Sequence, residues 1–337
     1  MRVGETHWLP VIRNYRCYSF PYPAGVPMGD LFDKRLIFVT GKGGVGKSTV
    51  SAALGLAAAR RGRRTIVAEL SYQDRIARAF HHEDSHFSEV EIRDGLWTIS
   101  IDPQNALEEY LRLQIRVKPM ADLLSGSRMF QYFAVATPGL SELVTMGKVW
   151  ELAQAKRRTK GAMRYDLVIV DAPATGHGVA MLTSPRTFAE IARVGPVANQ
   201  GRAIYETVTD ARHTGVIAVA LPEEMPVNET VMLSETLEAK LGMALDRIVV
   251  NGLYPERFGP RHRAAMARAL ETAGTPLERA ALRAALSEYA RAKGQREQLA
   301  RLQEATGREP ARLPFLFEPE LGPDEFDSLS HVLEEDL

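Results

Sequence analysis

The sequence predicts a doubly wound α/β fold, a mostly parallel sheet with helices on both faces. Three observations carry that prediction. Short apolar runs alternate with stretches of helical composition, which is the pattern of βαβ units. A glycine-rich run follows the first apolar run and opens a helix. A later, fully apolar run, Leu167-Val168-Ile169-Val170, ends in Asp171. Such a strand delivers a carboxylate to the sheet's carboxyl edge, where ligands bind in this class of fold.

Taken in order, Arg35–Thr40 reads as the first strand and Lys47–Arg61 as an Ala-rich helix. Thr65–Glu69 reads as a second strand and Leu96–Ile101 as a third, with a helix from Asn105 to Gln114. Val117–Arg158 reads as all helical. In it Leu143, Met146, Trp150 and Ala153 fall on one helical face. Leu167–Val170, Val216–Leu221 and Arg247–Val250 read as further strands. Arg261–Thr306 is a long helical stretch, rich in Ala, Arg, Glu and Leu, broken near Gly274–Pro276. Leu313–Phe317 reads as a last strand, with a closing helix after Pro323. No internal repeat or low-complexity linker divides the chain. The expected organisation is a leader over residues 1–32, then one domain over residues 33–337 with a helical subdomain at about 117–160.

Composition narrows the function. The 337 residues are 45% apolar and carry 42 basic against 42 acidic side chains. Zero net charge gives no bulk attraction to nucleic acid or to an anionic membrane. Cys17 is the single cysteine, which excludes an internal disulfide and a Cys-rich zinc or iron–sulfur site. No apolar run approaches the roughly 20 residues of a membrane span, and the first thirty residues lack the continuous apolar core of a signal peptide. They read as a disordered leader, or as sequence upstream of a start at Met28. A reducing cytoplasm is the expected compartment.

The run Gly41-Lys42-Gly43-Gly44-Val45-Gly46-Lys47-Ser48-Thr49 fits the phosphate-loop pattern G-x-x-x-x-G-K-[ST], between a strand and a helix as that pattern requires. Phosphate oxygens must approach backbone N–H groups closely, so glycines replace side chains. The helix that follows turns its positive end toward the anion. Lys47 is placed to reach the β- and γ-phosphates, and Ser48 to hold Mg²⁺ with Asp171. ATP and Mg²⁺ are therefore the expected ligands.

Lys42 makes the loop K-G-G-x-G-K-[ST], which resembles the deviant Walker A pattern of the MinD, ParA, nitrogenase iron-protein and arsenite-pump ATPases. That resemblance implies a homodimer in which Lys42 reaches the partner's nucleotide. Asp171-Ala172-Pro173-Ala174-Thr175-Gly176-His177 resembles the D-T-A-P-T-G-H switch of the arsenite-pump ATPase family. That family includes the cytosolic ATPases that guide tail-anchored proteins to membranes. Ile101-Asp102-Pro103, with Ala106, Leu107 and Tyr110, resembles the family's I-D-P-x-x-A-L segment. Val249-Val250-Asn251 resembles the strand end whose asparagine binds adenine, and Leu313-Pro314 the proline loop beside the base. The matching segments run from about Arg35 to the C-terminus. The resemblance implies an ATPase that captures and releases a protein or membrane partner.

Two departures from the family pattern stand out. Its first switch reads S-T-D-P-A, and its Asp positions the attacking water. Here an ungapped match puts Ser71 at that place, in Glu69-Leu70-Ser71-Tyr72-Gln73-Asp74. Either Glu69 or Asp74 substitutes, or hydrolysis is slow. The paired cysteines of the zinc-bridged relatives and the thiols of an arsenite site are also missing from the sequence. Two other readings remain open: a ParA- or MinD-type positioning ATPase, opposed by the acidic end Glu334-Glu335-Asp336-Leu337, and a nucleotide-dependent binding module with little turnover. The apolar segment Val117–Met146, with Met120, Met129 and Phe130, reads as a core layer or as a helical lid over a client. His177 reads as a turn residue on its own and as a neighbour of the phosphates by resemblance. His81 and His82 read as loop residues, and Arg279–Arg301, with its interspersed Glu, as a solvated helix.

Overall fold

A computed structural model describes residues 31–70, 73–114, 137, 139–159, 161–192 and 196–337. Its strands are β1 (Leu36–Gly41), β2 (Thr65–Glu69), β3 (Val90–Arg93), β4 (Leu96–Ser100), β5 (Leu167–Asp171), β6 (Thr214–Ala220), β7 (Arg247–Leu253) and β8 (Ala311–Pro314). They form one sheet in the order β3-β4-β2-β5-β1-β6-β7-β8. Every pairing is parallel except β3 with β4 at one edge. The helices are α1 (Lys47–Arg60), α2 (Arg75–Ala79), α3 (Pro103–Gln114), α4 (Leu140–Leu152), α5 (Thr175–Ala192), α6 (Pro196–Thr209), α7 (Glu224–Leu241), α8 (Pro260–Thr272), α9 (Pro276–Thr306) and α10 (Pro323–Asp336).

The central strands are apolar throughout because both faces are covered, as parallel sheets demand. Leu36, Phe38, Val168, Val170, Val216 and Ala218 point into one core, packed under α4–α7 and α9. Their neighbours Ile37, Val39, Leu167, Ile169, Ile217 and Val219 point into the other, under α1 and α10. Alternation along each strand thus divides one apolar run between two layers. The small residues of α1 let it lie close on the sheet. A Cβ added at Gly55 would meet Leu96 at 2.8 Å and Val67 at 3.0 Å.

Most of the expected elements are present, with shifted ends, and the doubly wound class is the observed one. The last strand ends at Pro314 rather than Phe317. The Arg261–Thr306 stretch is two helices separated at Ala273–Thr275, where Thr275 Oγ1 accepts from Glu278 N at 3.2 Å and Thr275 N donates to the Glu278 carboxylate at 3.0 Å. Leu31 and Phe32, expected at the end of the leader, are buried, and Phe32 carries the Arg61 guanidinium over its ring. Of the expected helical span Val117–Arg158, the described helix is α4, on which Leu143 and Met146 are buried as expected. Residues 117–136 and 138 lie outside the described residues, and with them most of the segment read as lid or core layer. Residues 153–159 are not helical. They are instead held by Arg157, whose guanidinium donates to Glu89 (2.7 and 2.8 Å), to Glu151 (2.7 and 3.1 Å) and to the Met163 carbonyl. Among the described residues no helix is long and apolar enough to cross a membrane.

Candidate nucleotide site

β1 lies between β5 and β6, so the loop that leaves its carboxyl end emerges at the middle of the sheet. Two backbone constraints fix that loop. Gly41 has φ 152°, and a Cβ there would come within 2.2 Å of the Val219 carbonyl oxygen of β6. Gly46 has φ 90°, and its Cβ would come within 2.2 Å of Asn251 Nδ2 at the end of β7. Both positions therefore require glycine. Gly43 and Gly44 are exposed, and a Cβ at either would meet nothing within 4 Å. Val45 is buried and anchors the loop tip. The Asn251 amide donates to the Val45 carbonyl at 3.0 Å, which ties β7 to the loop.

α1 begins at Lys47 directly after the left-handed Gly46, and no side chain caps it. Its first N–H groups are thus available to an anion. Lys47 Nζ donates to the Lys42 carbonyl at 3.0 Å and is half-buried. Burial lowers its pKa, against the opposing pull of Asp171. Ser48 Oγ donates to Asp171 Oδ2 at 2.6 Å. Thr49, the last residue of the motif, is half-buried in the first turn of α1. Asp171 is in register with Val39 of β1 and Glu69 of β2, and is 3% exposed. Burial pushes its carboxyl pKa up, opposed by the Ser48 hydroxyl and the Lys47 ammonium. Among the described residues Thr40 Oγ1 and Thr175 Oγ1 are buried with no hydrogen-bond partner, while Asp171 Oδ1 and Ser51 Oγ, also buried, fall outside ordinary hydrogen-bond geometry although the Ser51 hydroxyl helps to hold the Asp171 charge. Such atoms are costly when left unpaired. Here they sit at the end of β1, on α1, at the end of β5 and at the start of α5, around the phosphate loop. Ser48 and Asp171, joined at 2.6 Å, are the oxygens at the foot of the loop that would suit a hard cation.

The two acids expected near the first switch have other work. Glu69 is fully buried, and its carboxylate accepts from the Arg75 and Ile76 N–H groups at 2.9 and 3.0 Å, which caps α2. Burial pushes its pKa up to about 7, outweighing those bonds, and Asp171 adds to the rise. Asp74, left-handed at φ 46°, accepts from Ser85 N, Ser85 Oγ and His86 N. Ser71 lies outside the described residues. His177 is exposed, with Nε2 4.0 Å from Glu142 Oε1. Pro314 ends β8 opposite Leu253, and beyond it Phe315 stacks on Tyr254 with ring centroids 4.7 Å apart. Lys42 Nζ pairs with Glu229 Oε1 of α7 at 3.0 Å. Sequence reasoning missed Glu229, Thr40 and Tyr254. Thr40 had a signal in its place one residue before the motif; an acid on a helix 187 positions from Lys42 had none.

The Glu69 carboxyl has a pH signature. Its folded pKa of about 7 exceeds the ordinary 4.5, so the folded chain holds this proton after the unfolded chain has lost it. Stability is therefore expected to fall as pH rises from about 4.5 to 7, by on the order of 2–3 kcal/mol from this group. Urea unfolding of the ligand-free chain between pH 5 and 8 checks this. Glu69→Gln should flatten the decline, while costing some stability at every pH through the weakened cap; equal slopes in the two proteins would refute it.

The family model for anion-transporting ATPases matches residues 34–194 and 189–269. The chain belongs to this family. The matched span takes in the phosphate loop, Asp171, Glu229 and Asn251 of this anion-transporting ATPase family member, and stops short of Pro314. The chain is 30% identical to the ATPase BagA of Mycobacterium tuberculosis over 232 residues, 67% of each chain. It is 28% identical to a putative arsenical pump-driving ATPase of Halobacterium salinarum over 244 residues, 67% of this chain and 37% of that one. It is 29% identical to the ATPase GET3 of Chaetomium globosum over 211 residues, 61% of this chain and 58% of that one.

Proposed function

We propose that this chain binds ATP with Mg²⁺ on Gly41–Thr49 and hydrolyses it as a homodimeric, cytoplasmic switch that captures and releases a protein or membrane partner. The observation that carries the nucleotide reading is the Ser48–Asp171 pair at 2.6 Å beneath a glycine loop, with the second Asp171 oxygen buried outside ordinary hydrogen-bond geometry. Lys47 binds the β- and γ-phosphates, and the free N–H groups of α1 hold their oxygens. Ser48 and Asp171 hold the metal. A bound Mg²⁺ neutralises charge on the phosphate oxygens. Asn251 orients the base, with Pro314 beside it. Lys42 serves the partner's nucleotide. Relatives named as ATPases, a putative arsenical pump-driving ATPase among them, support this class of switch. The single cysteine of this chain argues against metalloid capture by thiolates.

The hydrogen bonds of Glu69 and Asp74 favour a second reading, a nucleotide-dependent binding module with little turnover. Both acids are committed to backbone N–H groups; reorienting Glu69 to hold a water uncaps α2, and reorienting Asp74 releases the Ser85–His86 loop. Single-turnover release of labelled phosphate separates the two. For an ATPase, release from wild type is expected to exceed that from Asp171→Asn at least ~100-fold, since metal-assisted charge stabilisation is lost. Equal release from the two, with ATP bound in both, would leave the module.

A further inference from the structure

The loop that follows α2 turns back on the start of that helix and brings three side chains together. Asp74 precedes α2 in the left-handed conformation, and His86 is left-handed too, at φ 48°. Ser85 N and Oγ donate to Asp74 Oδ1 at 3.0 and 2.6 Å, and His86 N donates to the same oxygen at 3.1 Å. The loop is held from behind by β4, whose Ser100 N–H donates to the His86 carbonyl at 2.9 Å. Three donors thus commit Oδ1, while Oδ2 accepts no hydrogen bond among the described residues. The Asp74 side chain is only 7% exposed, and Oδ2 faces His86 Nδ1 at 3.8 Å, too far for a hydrogen bond. A carboxylate oxygen this buried is costly when left without a partner. Asp84 closes the third side. One ligand atom from each of Asp74, Asp84 and His86 lies within 4.8 Å of the other two.

We propose that Asp74, Asp84 and His86 form a site for a divalent transition-metal ion, zinc the one they suit best. It is distinct from the Ser48–Asp171 pair and does not depend on the nucleotide reading. One imidazole with two carboxylates is a mixed nitrogen and oxygen set, which fits zinc and its first-row neighbours. Mg²⁺ instead prefers oxygen alone and keeps its waters. Zinc bonds of about 2.0–2.2 Å set ligand atoms roughly 3.4 Å apart in a tetrahedron, so the 3.8 Å pair has only to close by a few tenths of an ångström. The remaining atoms are already held as outer partners hold metal ligands. Asp74 Oδ1 has its three donors, and Arg78 forks onto Asp84 at 2.6 Å to each oxygen, which leaves each a lone pair. His86 is exposed, giving the ion a path in and a fourth position for water. The Arg78 guanidinium offsets one of the two carboxylate charges, so the ion should exchange rather than be built in. Once bound, it fastens the loop to the start of α2, the helix that Glu69 caps.

Co²⁺, whose visible absorption reports coordination by nitrogen and oxygen, tests the site in the chelator-treated full chain without nucleotide, near neutral pH. Wild type should take up one Co²⁺ with such bands. Zn²⁺ should displace it, and a ~100-fold excess of Mg²⁺ should not. His86→Gln should weaken Co²⁺ binding at least ~10-fold. Its ring is exposed, so the variant is expected to fold as wild type does. Asp74→Asn, which keeps an oxygen for Ser85 and His86, should weaken binding at least as much. Two controls should bind as wild type does: the double variant His81→Gln/His82→Gln, changed in the same loop, and Asp171→Asn, changed at the nucleotide site. Wild type without Co²⁺ bands would overturn the site, as would unchanged binding by His86→Gln. Loss of binding in either control would put the ion elsewhere and also overturn it. Displacement by Mg²⁺ would overturn the class of metal.

Discussion

Lys47→Ala is expected to weaken Mg²⁺-dependent ATP binding at least ~100-fold while leaving the fold intact. The ammonium follows the glycine loop directly, and it donates to the Lys42 carbonyl at 3.0 Å with the Asp171 charge nearby. Charge-assisted hydrogen bonds contribute about 1.5–3 kcal/mol each, and a phosphate takes more than one. The half-buried lysine is already short of water, with its pKa lowered by burial, so a polyphosphate would offer its charge a strong partner. Lys47 is not part of either apolar core, and the melting temperature of the variant without nucleotide should stay within a few degrees of wild type. Isothermal titration with ATP, with and without Mg²⁺, measures the loss. Equal affinity in wild type and Lys47→Ala would remove ATP from this loop.

Arg157→Ala should be the most destabilising single change outside the sheet, at about 3–5 kcal/mol. The guanidinium is 2% exposed and makes forked bonds to Glu89 and Glu151. Burial alone would push both carboxyls up, yet Arg157 holds each below the ordinary range. Glu89 also accepts from the Tyr165 hydroxyl at 2.7 Å, and Lys148 pairs with Glu109 at 2.8 Å and Glu151 at 3.6 Å. Truncation would leave the buried Glu151 to Lys148, which Glu109 also holds, and the half-buried Glu89 to the Tyr165 hydroxyl. In a domain whose whole stability is ~5–15 kcal/mol, that is a large fraction. Urea unfolding by circular dichroism should show an earlier midpoint with an unchanged slope. A cost under about 1 kcal/mol would mean that water replaces the guanidinium and the network is ornamental.

What was legible in the sequence was what local chemistry dictates. The phosphate loop is contiguous, and each of its residues answers a constraint within a few ångströms, so Gly41, Gly46, Lys47 and Ser48 were found from spacing alone. Asp171 was legible because a buried parallel strand has no other use for a terminal acid. Pairings across long sequence separations were not. Glu229 meets Lys42 because α7 starts just after β6 ends, at the sheet edge where the phosphate loop emerges. The edge strand β3, Val-Glu-Ile-Arg, is short and half polar, since only one of its sides is paired. α5 went unassigned with Pro185 in its interior. A proline there removes a donor and normally ends a helix. Asp74 turns left-handed and points to Ser85, which no composition rule anticipates.

The position of β1 between β5 and β6 also sets an order of events during synthesis. Leu36 pairs with Val168 on one side and with Thr214 on the other, 132 and 178 residues later in the chain (168 − 36 and 214 − 36). Neither partner exists when β1 leaves the ribosome. At roughly 5–20 residues per second, β6 follows after about 10–35 s. Through that interval an apolar strand and a glycine loop that needs Val219 and Asn251 to shape it wait without their neighbours. The nascent chain therefore has no nucleotide pocket until most of it has been made, and Leu36–Val39 is an apolar stretch that a holding chaperone would cover through that interval.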